Sequence, residues 1–130
     1  WWNGLARNGE GAQIEIADAG DGNLVLVATM YSYDTNGNQI FMIAVGPVNG
    51  STAEVDVFIT SGGRWGDDFD PAEVNETQWG TGTFTANSCE SMHMELRPNA
   101  EFQAMGYTHL AYDLVRLVTP VIPCPIDNPD

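Results

Sequence analysis

A chain of 130 residues with 43% apolar content is long enough to close one hydrophobic core and too apolar for intrinsic disorder. Eighteen carboxylates against four arginines and no lysine give a net charge of −14, which repels phosphate backbones and anionic membranes and argues against nucleic acid as a partner. No apolar run approaches the ~20 residues of a membrane helix, so a soluble domain without membrane insertion is expected.

The chain opens on Trp1-Trp2. Arg7 and Glu10 then straddle a glycine-containing turn, where an arginine–carboxylate pair would anchor the entry to the first long strand. The alternative use of Arg7 is to grip an anion, since its planar fork matches a carboxylate. Short β-branched and aromatic runs follow at 11–17, 23–33, 39–47 and 52–60, and again at 80–87, 91–97, 101–106 and 109–117. They are punctuated by Asp18-Ala19-Gly20-Asp21-Gly22, Asp34-Thr35-Asn36-Gly37-Asn38 and Asn49-Gly50, pairs that accept the positive φ of hairpin turns.

Alternation assigns faces. Val55, Val57 and Ile59 oppose Asp56, Phe58 and Thr60, and Ile14 and Ile16 alternate with Gln13 and Glu15, so one face of the sheet is expected to be wet. Tyr31 and Tyr33 share a face. Met92, Met94 and Leu96 share another, opposed by His93, Glu95 and Arg97, which reads as core filling rather than a copper site. Most large rings are expected in the core.

The longest connection is Gly62-Gly63-Arg64-Trp65-Gly66-Asp67-Asp68-Phe69-Asp70-Pro71. Asp70-Pro71-Ala72-Glu73 reads as a capping box and predicts a short helical turn near 70–75. Trp65 and Phe69, with Arg64, are expected either to lid one end of the barrel or to expose an aromatic patch. With Tyr31 and Tyr33 they form the candidate ligand or partner surface. Asp67, Asp68 and Asp70 offer the hard oxygens that calcium prefers, though without EF-hand spacing.

Cys89 and Cys124 lack metal-site spacing, and an even pair in a lysine-free chain reads as one disulfide. It would tie a strand end to a tail with prolines at 120, 123, 125 and 129, and would be worth about 3–4 kcal/mol.

Six ordered motifs then line up with one pattern. They are Trp1-Trp2 with Arg7-Asn8-Gly9-Glu10-Gly11, Tyr31-Ser32-Tyr33-Asp34 with Gly37-Asn38-Gln39, and Thr60 through Pro71. After these come Trp79-Gly80-Thr81, Cys89, and Leu114-Val115-Arg116-Leu117 with Cys124. Together they resemble a bacterial exported β-domain found in multidomain or repeated proteins, a family without an established activity. The resemblance implies export, one barrel-like domain and the Cys89–Cys124 bridge. Met30 stands where such domains place a tryptophan, and Asn8 where they place a serine.

The expected fold is therefore all-β: an antiparallel meander of about eight strands closed as an up-and-down barrel, with a two-sheet sandwich as the alternative. The barrel domain is expected over 1–118, with an extended tail at 119–130. The expected function is a non-catalytic secreted, periplasmic or cell-surface module for protein assembly or adhesion, with other protein subunits or surface glycans as partners. A barrel holding a small ligand or glycan is the alternative. An enzyme stands third, because no nucleophile elbow is present and the carboxylates have no fixed spacing. No cofactor is expected unless the aspartates of 67–70 bind calcium.

Overall fold

The computed structural model describes residues 1–117. The expected tail at 119–130, the boundary at 118 and Cys124 lie outside the described residues. Among the described residues no cysteine is free.

Eight strands form one closed antiparallel barrel in chain order. They are β1 (Trp2–Gly4), β2 (Gly11–Asp18), β3 (Leu24–Tyr33), β4 (Gln39–Asn49), β5 (Thr52–Ser61), β6 (Asn75–Ala86), β7 (Ser91–Pro98) and β8 (Leu110–Arg116). β1 closes the ring on β8 through Trp2–Arg116, Asn3–Val115 and Gly4–Leu114, which excludes the sandwich. The turns form for the reasons legible in their residues. In the β3–β4 hairpin the Asp34 carboxylate accepts from the amides of Asn36 (2.9 Å) and Asn38 (2.8 Å), and Gly37 supplies φ 86°.

The lumen is filled. Small side chains on β3 and β4, Ala28 and Ala44, meet in register, and Val57 lies opposite both Ala44 and Gly80. The space they leave is taken by Phe84, Met94, Leu96 and Leu114, all buried. This alternation of small and large lets side chains fill most of a narrow barrel. Full burial of a side chain such as Phe84 stabilises by about 1.5–3 kcal/mol. Met92, Met94 and Leu96 point inward, as their alternation requires.

Three elements differ from the sequence expectation. The segment expected as a strand at 101–106 is instead a helix, α1 (Ala100–Ala104), whose residues Ala-Glu-Phe-Gln-Ala are mostly strong helix formers. Its Phe102 is buried against Trp79 and Tyr107, with ring centroids 6.4 and 5.9 Å away. The eighth strand of the barrel is β1, too short to show a period. β6 begins at Asn75 rather than 80, and a register shift between Val57 and Phe58 leaves Trp79 as an extra residue on β6. The bulge turns Trp79 into the core, where it is 3% exposed.

Candidate functional site

Arg7 and Glu10 are brought together by two successive turns, with the Arg7 amide donating to the Gly4 carbonyl and the Glu10 amide to that of Arg7. Arg7 Nε donates to Glu10 Oε1 in an ion pair across this turn. Two further residues complete it. Tyr112 Oη donates to Glu10 Oε1 at 2.8 Å and Ser32 Oγ to Oε2 at 2.9 Å. The Arg7 guanidinium lies 4.4 Å from the centroid of the Tyr112 ring. Burial alone would raise the Glu10 pKa, but the hydrogen bonds from Arg7, Tyr112 and Ser32 together hold it below the ordinary carboxylate value. Burial, aided by the hydrogen bond to Glu10, pushes the Tyr112 phenol up to about 12.

Chemically this cluster is closed. Three donors, Arg7 Nε, Tyr112 Oη and Ser32 Oγ, already converge on the two Glu10 oxygens. The cavity beside it, between Met30, Met42, Met94 and Leu114, is about 40 Å³, room for ordered water and nothing larger. Above it a cleft of about 220 Å³ opens between Arg7, Tyr33, Trp79 and Tyr107. The Trp79 indole N–H is buried without a hydrogen-bond partner among the described residues.

Of the two roles expected of the 62–71 connection, lid or exposed patch, its geometry removes the lid. Two 3-10 turns, Gly66–Asp68 and Pro71–Glu73, give it shape, and Asp70 caps the second by accepting from the Ala72 amide at 3.0 Å. Glu73 does not reach back to complete a capping box. It forms a two-point ion pair with Arg64 at 2.9 and 3.0 Å. Trp65 is 96% exposed and Phe69 is exposed too, so neither lids the barrel. That position is held by Trp79, Phe102 and Tyr107. Among the described residues no three His, Cys, Asp or Glu side chains converge as a metal site, and Asp67, Asp68 and Asp70 are no exception.

The outer face of the sheet meets water, but on β3 and β4 it is largely apolar rather than polar. Their outer face sets Val27 opposite Val45, Val25 opposite Pro47 and Tyr31 opposite Phe41. Trp1 packs on Tyr31 at 5.7 Å. Trp1, Tyr31, Tyr33 and Phe41 are 41%, 44%, 43% and 45% exposed, so these rings are not core. A hollow of about 150 Å³ lies between Tyr31, Tyr33, Gly9 and Gln39. The opposite wall is polar, with His93 on Asp113 (2.8 Å), His109 on Glu95 (2.9 Å) and Arg97 on Glu54 (3.3 Å). Tyr31 and Tyr33 thus sit where a partner can reach them.

Sequence reasoning did not single out Ser32, Tyr112, Gln39 or Trp1 as site residues. For Gln39 a signal existed: the hairpin register that follows from Asp34 and Gly37 places it opposite Tyr33.

Comparison with protein-family models, with curated proteins and with solved structures found no match to this chain.

Proposed function

We propose that this chain is a non-catalytic module of an exported or cell-surface protein, used for adhesion or assembly, that binds through the outer face of β3 and β4 rather than in its lumen. One observation carries the reading: Trp1, Tyr31, Tyr33 and Phe41 expose their rings side by side on a rigid sheet. Contiguous exposed aromatic surface is characteristic of interaction sites, because its removal from water on binding is favourable and costs little side-chain entropy.

The closed Glu10 cluster and the filled lumen support the same choice over an enzyme or an enclosed ligand. The charged wall of β7 and β8 speaks against embedding in lipid, where an arginine such as Arg97 at mid-bilayer would cost about 2–4 kcal/mol. The resemblance in sequence supports export.

The test uses beads coated with the domain and presented to cell-wall preparations and immobilised extracellular-matrix proteins. Retention that is lost on Phe41→Ser and Tyr31→Ser, and kept on Trp65→Ala, is expected. No retention, or retention indifferent to the β3–β4 substitutions, would overturn the reading.

A further inference from the structure

We propose that the hollow between Tyr31 and Tyr33 takes one ring of a neutral pyranose glycan. The proposal rests on the outer-face reading above and names the ligand class of that surface.

Strand geometry fixes the frame. Tyr31 and Tyr33 stand on the same side of β3, about 7 Å apart along the strand. The register sets Phe41 across from Tyr31 and Gln39 across from Tyr33. The outcome is a rectangle of three rings and one amide, with the backbone of Gly9 lining the hollow and Tyr33 Oη donating to the Gly9 carbonyl at 3.1 Å. That bond ties down one ring from its far end, so the frame is ordered before a ligand arrives. The hollow, about 150 Å³, fits a six-membered sugar ring and is too small for a nucleotide or a folded peptide element.

The chemistry points the same way. The C–H face of a pyranose carries a weak positive potential, which the negative face of an aromatic ring attracts, while the stacking removes apolar area from water. The ring hydroxyls need donors and acceptors at the edge of that stack. The Gln39 amide offers both, and so does the Tyr31 hydroxyl; neither is engaged by another described residue.

Charge selects among sugars. Arg7 lines the neighbouring cleft with Ser32 and Tyr33, but its guanidinium is already committed to Glu10 and to the Tyr112 ring. The hollow itself is lined by Tyr, Gly, Ser, Gln and Ile, without a cation, on a chain of net charge −14. A uronic, sialic or sulfated sugar would meet that negative field with no unpaired cation lining the hollow to offset it. A neutral ring needs no such offset.

The experiment titrates the purified domain with cellopentaose, maltopentaose, mannopentaose and chitopentaose, and with a galacturonic acid pentamer as the anionic comparison. Heat of binding is read by calorimetry, and the part of the tryptophan fluorescence change that Trp1→Phe removes serves as a local reporter, because the Trp1 ring packs on Tyr31. At least one neutral sugar is expected to bind below about 10 mM, and the anionic one not at all. Tyr31→Ala and Tyr33→Ala are each expected to weaken binding up to about tenfold, and Gln39→Ala to weaken it while Gln39→Asn restores part. Both rings are exposed, so thermal melts are expected to show the variants folded. No neutral sugar bound, tighter binding of the anionic pentamer, or affinity unchanged in the Tyr31→Ala, Tyr33→Ala double variant would each overturn the proposal. If bead retention still depends on Tyr31 and Phe41 while no sugar binds, the outer-face reading stands with a protein as its partner. If both fail, so does that reading.

Discussion

The Tyr112 hydroxyl reaches the Glu10 carboxylate at 2.8 Å across 102 positions of sequence, and this contact closes a seam that backbone pairing leaves short. β1 covers only Leu114–Arg116 of β8, so along Leu110–Asp113 no strand lies on that side. The Arg7–Glu10–Tyr112–Ser32 cluster takes its place, joining the β1–β2 loop to β3 and β8.

Removing members of this cluster is expected to loosen the barrel. Tyr112→Phe deletes one hydrogen bond and is expected to cost about 1 kcal/mol, while Glu10→Gln removes the charge that Arg7 and two hydroxyls address and is expected to cost about 2 kcal/mol. Urea unfolding of the single and double variants checks it. The two costs are expected to be non-additive by more than about 0.5 kcal/mol, as for groups in contact. Additive costs would mean that the cluster does not act as a unit.

The same cluster bounds stability in pH from both sides. The Glu10 pKa lies below its ordinary value of 4.5 in the folded state, so its contribution is present above that value and is lost as pH falls through the lower folded pKa. Asp34, lowered by its hydrogen bonds from Asn38, adds to the same acid limb. Tyr112 is raised from 10.0 to about 12, so the stability it carries is complete below pH 10.0 and fades as pH climbs toward about 12. Tyr107, raised chiefly by burial, acts in the same direction. Thermal melts across pH are expected to show a plateau with two shoulders. Glu10→Gln should flatten the acid shoulder and Tyr112→Phe should shrink the alkaline one; an unchanged profile in both variants would contradict this assignment.

Much of this was legible in the chain because hairpins announce themselves locally. Asp34 and Gly37 fix one turn and Asn49-Gly50 another, and the registers of β3, β4 and β5 follow. The start of β6 was hidden, since Asn75-Glu76-Thr77-Gln78 is polar on both faces and shows no alternation. α1 was misread because Phe102 and Ala104 fit a period of two as well as a single helical turn, and five residues are too few to separate them. The Arg7–Glu10 pair followed from spacing alone. Its partners Ser32 and Tyr112 did not, because only closure of the ring brings β3 and β8 to that loop. Phe41 and Trp1 read as core rings by default, whereas the lumen is already filled by other side chains and both stand beside Tyr31 on the outside.

Two glycines are required by the backbone rather than by a turn. A Cβ at Gly46 would run into the Glu54 carbonyl of β5, and one at Gly80 into the Arg97 carbonyl of β7. Backbone atoms cannot step aside as a side-chain end can, so the strands would have to separate. Gly46→Ala and Gly80→Ala are each expected to destabilise by about 1–3 kcal/mol, the range of overpacked cores. Gly63→Ala, which meets open space, serves as the control and is expected to leave the melting temperature unchanged. Equal melting temperatures for all three variants would show that the close approaches are not constraints.

Trp65 and Trp79 are expected to behave as opposites under the same substitution. Trp65 touches little and stands in water, so Trp65→Ala is expected to change unfolding free energy by less than about 0.5 kcal/mol. Trp79 sits on the β6 bulge with Tyr107 edge-on at 5.8 Å and Phe102 beside it, and its loss would empty the end of the core. Trp79→Ala is expected to cost about 3–5 kcal/mol. Trp79→Phe should cost less, because it keeps a ring against Phe102 and Tyr107 and removes the one buried side-chain N–H that has no partner among the described residues. Chemical denaturation of the three variants decides the matter. A large loss from Trp65→Ala would return the 62–71 connection to the role of a lid, and a small loss from Trp79→Ala would mean that α1 does not seal this end of the barrel.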